Sequence, residues 1–500
     1  MPNNPDTRPE QSNNSADAVS ATRSVRHVLE RYDWLLICAA WVGALIVLGM
    51  LRFDAYGIAE AGAHALVLNW TVSEQIVNPI VTLGPPDFRA LLFLPLGLYW
   101  PGSIIAVKIF TAIVFFIGVL LLHRRLKTLL TSEVALLGSG LMLVAPISVL
   151  EINALGAGPF LLLTFGLAAW ADERYRAKQR QLAGWYFLQL FLAMIATSLH
   201  PAGLAYPLAL AWEWSRDQQG DARQRKQFLW GLSIAVLLLV VLRRGWYGLD
   251  WWSNPFVSLD AVLFAHIPDA PMAPGVGAGV VLAALLVTVM LVHWRRIRDN
   301  LFARTLGLAV VCGLVAADFS WALLAAGVLI YFGIAGLVTF NEHFPGRSFL
   351  GQRGAVLGVV FVAATAFMVA DKGYYNAFLR QALTPQDHLL EAVASEIGER
   401  EEPVKLSSQW PARTMLATRH PAFPLPPVPD SPEQFLPSIK GIAYLLFDPF
   451  APTNKALTDT LSGLTSDFET ILVEQRGVVV KVRDQQARGG AQPPAVAPTQ

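Results

Sequence analysis

The chain has 500 residues, of which 54% are hydrophobic and 15% charged, with a mean hydropathy of +0.45 and a formal net charge of +1. A soluble chain of this size exposes far more charge, so the composition excludes an ordinary globular enzyme and indicates a polytopic membrane protein. The near-zero charge offers no footing for a nucleic-acid partner, and both cysteines, Cys38 and Cys312, lie in apolar runs, leaving no disulfide framework to report a compartment.

Residues 1–31 are rich in Asn, Ser and Pro, bury little, and read as a disordered cytoplasmic tail. The apolar run Trp34–Leu51 has no clear small-residue cleavage site after it and reads as a retained helix. Further helices are expected near 102–122, 133–151, 155–171, 183–199, 201–214, 227–242, 275–293, 302–317, 319–340 and 355–371, about eleven crossings in all. The basic stretches "HRRLK" (123–127), "DERYRAKQR" (172–180), "RDQQGDARQRK" (216–226) and "HWRRIRDNLFAR" (293–304) alternate with loops at 151–154 and 199–201 that carry no Lys or Arg. The positive-inside bias then puts the N-terminus and these stretches in the cytoplasm, and everything after Val369 outside.

Two external segments are large. In 54–101, Ala61, Ala65, Leu68, Val72 and Ile76 recur at helical spacing, which predicts a helix lying along the interface, and "RALLFLPLGLYWPG" predicts a second, short one. In 372–484, "TPQDHLLEAVASEIGE" reads as a helix opened by Thr384 and Pro385, "VKLSS" and "IAYLLFD" as strands, "APTNKALTDTLSGL" as a short helix, and "FETILVEQRGVVVKVR" as a hairpin turning near Gln475–Gly477. The expected fold class is an all-α polytopic membrane protein, spanning 32–371, with a small extracytoplasmic α/β domain at 372–484 and a disordered tail at 485–500.

Candidate chemistry collects at the outer ends. Asp54 stands three residues past Leu51, at the depth where a carboxylate reaches both water and a lipid head group. A general base for transfer from a lipid-linked donor needs that depth, whereas its ordinary reading is an interfacial acid paired with Arg52. Glu60 and His64 are one helical turn apart and suit a metal or a proton shuttle, yet no third ligand is in register and a solvated helix face is the commoner case. Arg243 and Arg244 sit on the outside against the positive-inside bias, which a lipid phosphate explains, and Arg89 is a third external cation that can share it or pair with Asp87. Glu151 and His200 mark outer helix ends, where they line any outward cavity or simply cap and kink the chain.

This order of parts resembles the GT-C glycosyltransferases, nearest the protein O-mannosyltransferases and the aminoarabinose transferases that modify lipid A. The resemblance rests on an acid just past the first helix (Asp54), on "GPPDFRALLFLPLGLYWPGSIIAVKIFTAIVFFIGVLLLHRRLK" leading into the second, and on a C-terminal α/β region ending "YLLFDPF…FETILVEQRGVVVKVR". It departs from the family where Ala55 replaces a second acid, where Gly84 replaces a basic residue before Pro85–Pro86, and where His200–Pro201 stands in place of Lys-Gly. What it implies is an inverting transferase in a bacterial cytoplasmic membrane, with a polyprenyl-phosphate-linked sugar as donor, membrane lipid around it, and a glycan, lipid or protein hydroxyl as acceptor. Asp54 is then the base, and Arg243, Arg244 and Arg89 hold the leaving phosphate. The departures imply the alternative of a non-catalytic member that binds a lipid-linked saccharide. No cofactor is implied, and divalent-metal dependence stays open.

Overall fold

A computed structural model of the chain describes residues 32–43, 51, 57–74, 88–100, 102–129, 132–177, 183–216, 222–242, 300–315, 323–324, 327–328, 385–397, 403–428, 432–451, 454–474 and 477–483. The helical part opens with α1 (Tyr32–Gly43), α2 (Glu60–Glu74) and α3 (Arg89–Tyr99). It continues through α4 (Ile104–Leu129), α5 (Ser132–Val144), α6 (Pro146–Asn153), α7 (Gly158–Ala177) and α8 (Ala183–Leu199). A 3₁₀ turn at Pro201–Leu204 then leads into α9 (Ala205–Arg216), α10 (Ala222–Leu242) and α11 (Leu301–Val315).

Helix α4 shows why this body belongs in a bilayer. Ile105, Ile109, Ile113 and Ile117, each 42–44% exposed, form one row at i, i+4 spacing, while Val107, Ala112, Phe115, Val119 and Leu122 turn inward. A row of exposed isoleucines along a long apolar helix suits a lipid environment. Within α4, Ile104–Arg125 is long and apolar enough to span alone, and Ala135–Val144 of α5 with Ile147–Asn153 of α6 makes an apolar pair bent by 53°, the form of a broken span or a re-entrant loop. The sequence predicted one helix over 133–151. Pro146 breaks it, because the residue before a proline is driven out of the α region, and Ala145 is extended at ψ 134°. Ser148 Oγ donates to the Met142 carbonyl at 2.6 Å, satisfying a group freed by the break. The expected helices at 275–293, 319–340 and 355–371 fall wholly or mostly outside the described residues, so the figure of eleven crossings stays an expectation.

Contacts sort the helix ends into two faces. On one, Asp33 of α1 meets His123 (3.1 Å) and Lys127 of α4, and Arg125 faces Glu173 at 3.9 Å. Arg176 of α7 binds Glu213 of α9 at 2.6 Å, and Glu213 binds Arg304 of α11 at 3.0 Å. Aromatic rings crowd this face, with Trp214 stacked on Phe228 at 4.0 Å and Arg304 over Trp212 at 5.6 Å, as expected of an interfacial belt. All the basic stretches that reach described residues therefore share one end. The other end holds α2, the start of α3 and the α6–α7 loop, where Ala59 N–H donates to the Ala154 carbonyl at 3.0 Å.

Helix α2 forms where a helix was expected. Gly62, Ala63, Ala65, Leu66 and Val67 are buried and Ala61 is exposed, while Leu68, Val72 and Ile76 of the predicted stripe lie outside the described side chains. Sterics shape one contact of this face. Gly62 lies so close to the α6–α7 loop that a Cβ there would stand 2.6 Å from the Ala154 carbonyl oxygen. Helix α3 buries Arg89, Ala90 and Phe93 and exposes Leu91 and Leu98, an amphipathic division suited to the membrane surface.

The C-terminal region carries α12 (Pro385–Ile397), β1 (Leu406–Ser408), α13 (Pro411–Thr418), β2 (Ala422–Pro424), α14 (Pro432–Ser438), β3 (Tyr444–Phe447), α15 (Lys455–Gly463), β4 (Phe468–Glu474) and β5 (Gly477–Val482). The sheet order is β2-β1-β3-β5-β4, parallel among β2, β1 and β3 and antiparallel beyond. Strand β3 alternates cleanly. Leu445 and Phe447 pack with Phe435, Leu457 and Phe468 under α14 and α15, while Tyr444 and Leu446 join the apolar core that continues through α12 and α13 into the helical body. The sequence reading found the hairpin, β1, β3, α12 and α15. It missed α13, β2 and α14, three short elements, of which β2 is only three residues long.

Candidate functional site

The described candidates for the expected site lie at the end opposite the basic loops. Asp54, Arg243 and Arg244 lie outside the described residues. The remaining candidates are placed: Arg89, Glu151, His200 and Glu60 each bond to backbone, and His64 is half-buried on α2.

Arg89 opens α3 and is 2% exposed, with its guanidinium donating to the Leu155 carbonyl at 2.5 Å. The acceptor is unusual, since Leu155 adopts a left-handed conformation at φ 53°, which swings the loop away after α6 ends. Glu151 crosses the same loop from inside. Its carboxylate accepts from the Gly158 N–H at 3.0 Å and so caps α7, where an anion is favoured by the helix dipole. The loop must be bare at Gly156 for this, because a Cβ there would stand 2.1 Å from Glu151 Oε2. Asn153 donates to the Val149 carbonyl one turn back. His200 caps the 3₁₀ turn, its Nδ1 accepting from the Ala202 N–H at 3.0 Å.

Glu60 does something the sequence reading did not foresee. Its two carboxylate oxygens accept from the Ala412 N–H at 2.7 Å and the Arg413 N–H at 3.1 Å, the first-turn donors of α13. Arg413 in turn donates to Gln386 at 3.0 Å and to the buried Asp387 at 2.6 Å, both on α12. Burial pushes the Glu60 carboxyl up to about 7, against the lowering influence of the two backbone donors and of Arg413. The sequence paired Glu60 with His64, but the carboxylate reaches 352 residues away instead. Among the described residues no three His, Cys, Asp or Glu side chains are placed to hold a metal ion.

Two features escaped the sequence reading. Lys108, in the second turn of α4, is fully buried beside the same end, inside a run that reads as plain apolar helix. Helix α13 was signalled by Pro411 in its first turn, the helix-start cue already used for Pro385.

No family model matches this sequence, and no curated protein matches it. Solved structures do. ArnT from Cupriavidus metallidurans bound to undecaprenyl phosphate aligns over 89% of this chain and 97% of its own, at 13% identity and a TM-score of 0.51. The archaeal oligosaccharyltransferase AglB from Archaeoglobus fulgidus, in complex with an inhibitory peptide and a dolichol-phosphate, aligns over 88% of this chain and 73% of its own, at 10% identity and a TM-score of 0.51. The chain thus shares the overall fold of these two proteins.

Proposed function

We propose that this protein is a GT-C-type glycosyltransferase that moves a sugar from a polyprenyl-phosphate donor to an acceptor hydroxyl at the outer face of a bacterial cytoplasmic membrane. The observation that carries the reading is the fold shared over 89% of the chain with a protein whose structure holds undecaprenyl phosphate. In this reading the basic end of the body is cytoplasmic, the crossings number about eleven, and residues 372–484 form a domain on the opposite side. Asp54 takes the proton of the acceptor hydroxyl as its oxygen attacks the anomeric carbon. The bond from that carbon to the phosphate oxygen breaks on the opposite face, so configuration inverts and the lipid phosphate leaves. Arg243 and Arg244 meet the developing phosphate charge, and Arg89 braces the α6–α7 loop through Leu155.

The test begins with native mass spectrometry of protein purified gently from its own host. A retained adduct with the mass of a polyprenyl phosphate plus a sugar is the expected result, and it names the donor. With that donor, Asp54→Asn lowers transfer by roughly 10²–10⁴-fold, the usual contribution of a positioned base. Full activity in the variant would sink the mechanism.

A second reading, a non-catalytic binder of a lipid-linked saccharide, is favoured by one specific observation. Two of the candidate polar groups among the described residues are tied to backbone, Glu60 to the amides of α13 and Arg89 to a carbonyl of the α6–α7 loop. A purified preparation that turns over donor unaided excludes it.

A further inference from the structure

The parallel part of the C-terminal sheet has a topological switch point. From β1 the chain passes through α13 to β2 on one side, and from β2 it crosses through α14 to β3 on the other side. The crevice beyond the carboxyl ends of β1 and β3 is where such sheets hold ligands, and the helix following the first strand offers its unpaired N–H groups there. In this chain the crevice is built from Gln409, Asp448 and Asn454. The Gln409 side-chain oxygen accepts from the Asp448 N–H at 2.8 Å and from Asn454 Nδ2 at 2.9 Å, and Ser408 Oγ accepts from the Trp410 N–H at 2.9 Å. Those bonds fasten the rim. The first-turn donors of α13, at Ala412 and Arg413, point instead at Glu60 of α2.

We propose that this ligand seat is filled from within the chain: the Glu60 carboxyl is the ligand of the α13 N-terminus, and it clasps the C-terminal α/β region onto the first-loop helix. Three features support a built seat. Both oxygens of Glu60 are used, each on a separate amide. Arg413, which carries one of those amides, is fixed by Gln386 and Asp387 from α12, so the first turn of α13 is held from two sides. Apolar side chains surround the contact, since Ala412, Met415 and Leu416 of α13 belong to the core that includes Ala63, Leu66 and Val67 of α2. The charged group that acts on Glu60 is Arg413 on α13, itself bonded to Asp387 on α12, and His64 stands one turn along α2 in the sequence. The proposal does not depend on the transfer reaction, and it adds a site that the reaction leaves unassigned. Its placement matters for that reaction all the same, because Glu60 lies six residues from Asp54 on the same loop.

Hydrogen exchange of the full-length protein in nanodiscs, read at single amides by fragmentation mass spectrometry, tests the clasp. First-turn amides of a helix have no internal partner and ordinarily exchange fast. In the wild type the Ala412 and Arg413 amides are expected to be protected as strongly as the interior of α13. Unprotected wild-type amides would overturn the proposal without any mutation. Glu60→Ala should speed exchange at these two positions by roughly tenfold or more, the scale of a lost charge-assisted bond. Glu60→Gln, which keeps one acceptor oxygen, should fall between. Acetate, supplied as a free carboxylate, should restore protection in Glu60→Ala, where chloride does not. Unchanged exchange in Glu60→Ala, or acceleration spread evenly over 411–424 with no response to acetate, refutes a seat at Glu60.

Discussion

At the basic end of the helical body, helix termini are tied side chain to side chain. Asp33 joins Lys127 and His123, and Arg176, Glu213 and Arg304 form a chain across α7, α9 and α11. At the opposite end, among the described residues, ties from side chain to backbone recur: Arg89 to Leu155, Glu151 to Gly158, His200 to Ala202, Glu60 to Ala412 and Arg413. Glycines permit close approaches there at Gly62, Gly156 and Gly203, as Gly118 and Gly166 do where α4 meets α7, whereas Gly184 at the start of α8 has nothing within 4 Å of a Cβ position. Ion pairs fix the spacing of helices that are already formed. Backbone capping fixes the path of irregular chain, and irregular chain at membrane depth is tolerated where it is buried or lines a cavity. The contrast is one of construction: side-chain pairs at one end, caps on irregular backbone at the other.

If that contrast holds, the largest stability effects of single substitutions belong to the second end. Gly203→Ala would put a Cβ 1.8 Å from the Ala196 carbonyl oxygen, a backbone atom that cannot swing aside. The expected loss is about 1–3 kcal/mol or more, read as a fall in the midpoint of thermal unfolding in detergent. Gly184→Ala, in α8 with open space around it, is the control and should be neutral or stabilising by up to ~1 kcal/mol. Equal effects at the two positions would remove the steric half of the comparison.

The ion pairs come next. Arg304 is nearly buried and leans on Glu213, whose side chain is a quarter exposed. Glu213→Ala leaves Arg304 and Arg176 facing each other without their shared carboxylate, for an expected cost of about 1–3 kcal/mol, below the full penalty for a buried pair because water reaches the site. A double-mutant cycle with Arg304→Met measures the coupling directly. A coupling near zero would mean that the pairs at this end merely coexist with a fold set by apolar packing.

What the sequence could show of this was uneven, and the reasons are physical. The two faces were readable because Lys and Arg cluster in loops, and position along the chain then sorts every helix end. The strands β3 and β5 were readable because alternation writes the sheet into the residue order. The bend at Pro146 was visible in the letter itself and passed over in favour of one long helix. The Glu60 seat could not be read, because its partners are backbone amides, which every residue but proline carries, 352 positions away. Periodicity proposed His64 as the neighbour of Glu60, and tertiary packing supplied α13. Arg89 shows the same limit: its charge suggested an anion, and its observed partner is a carbonyl.

The smallest expected effect separates the two ends by pH. The Glu60 carboxyl has an ordinary value of 4.5 and is held at about 7 when clasped, since the loss of hydration outweighs two good donors. The clasped form therefore binds more protons than the released form between these values, and acid favours clasping. The contribution is fully present below about pH 4.5 and is lost as pH rises through about 7, with a ceiling of about 3 kcal/mol that partial access of water reduces. A protonated carboxyl still offers its carbonyl oxygen to one amide, so the contact survives protonation and tightens because a charge no longer has to be buried. Protection factors at Ala412 and Arg413, corrected for the intrinsic pH dependence of exchange, should fall from pH 5 to pH 8 in the wild type. In Glu60→Gln, which keeps one acceptor oxygen and has no titrating group at this position, the profile should be flat. A wild-type profile that is already flat would place the Glu60 carboxylate in water, and a slope that survives in Glu60→Gln would assign the titration to His64 or to a group beyond it.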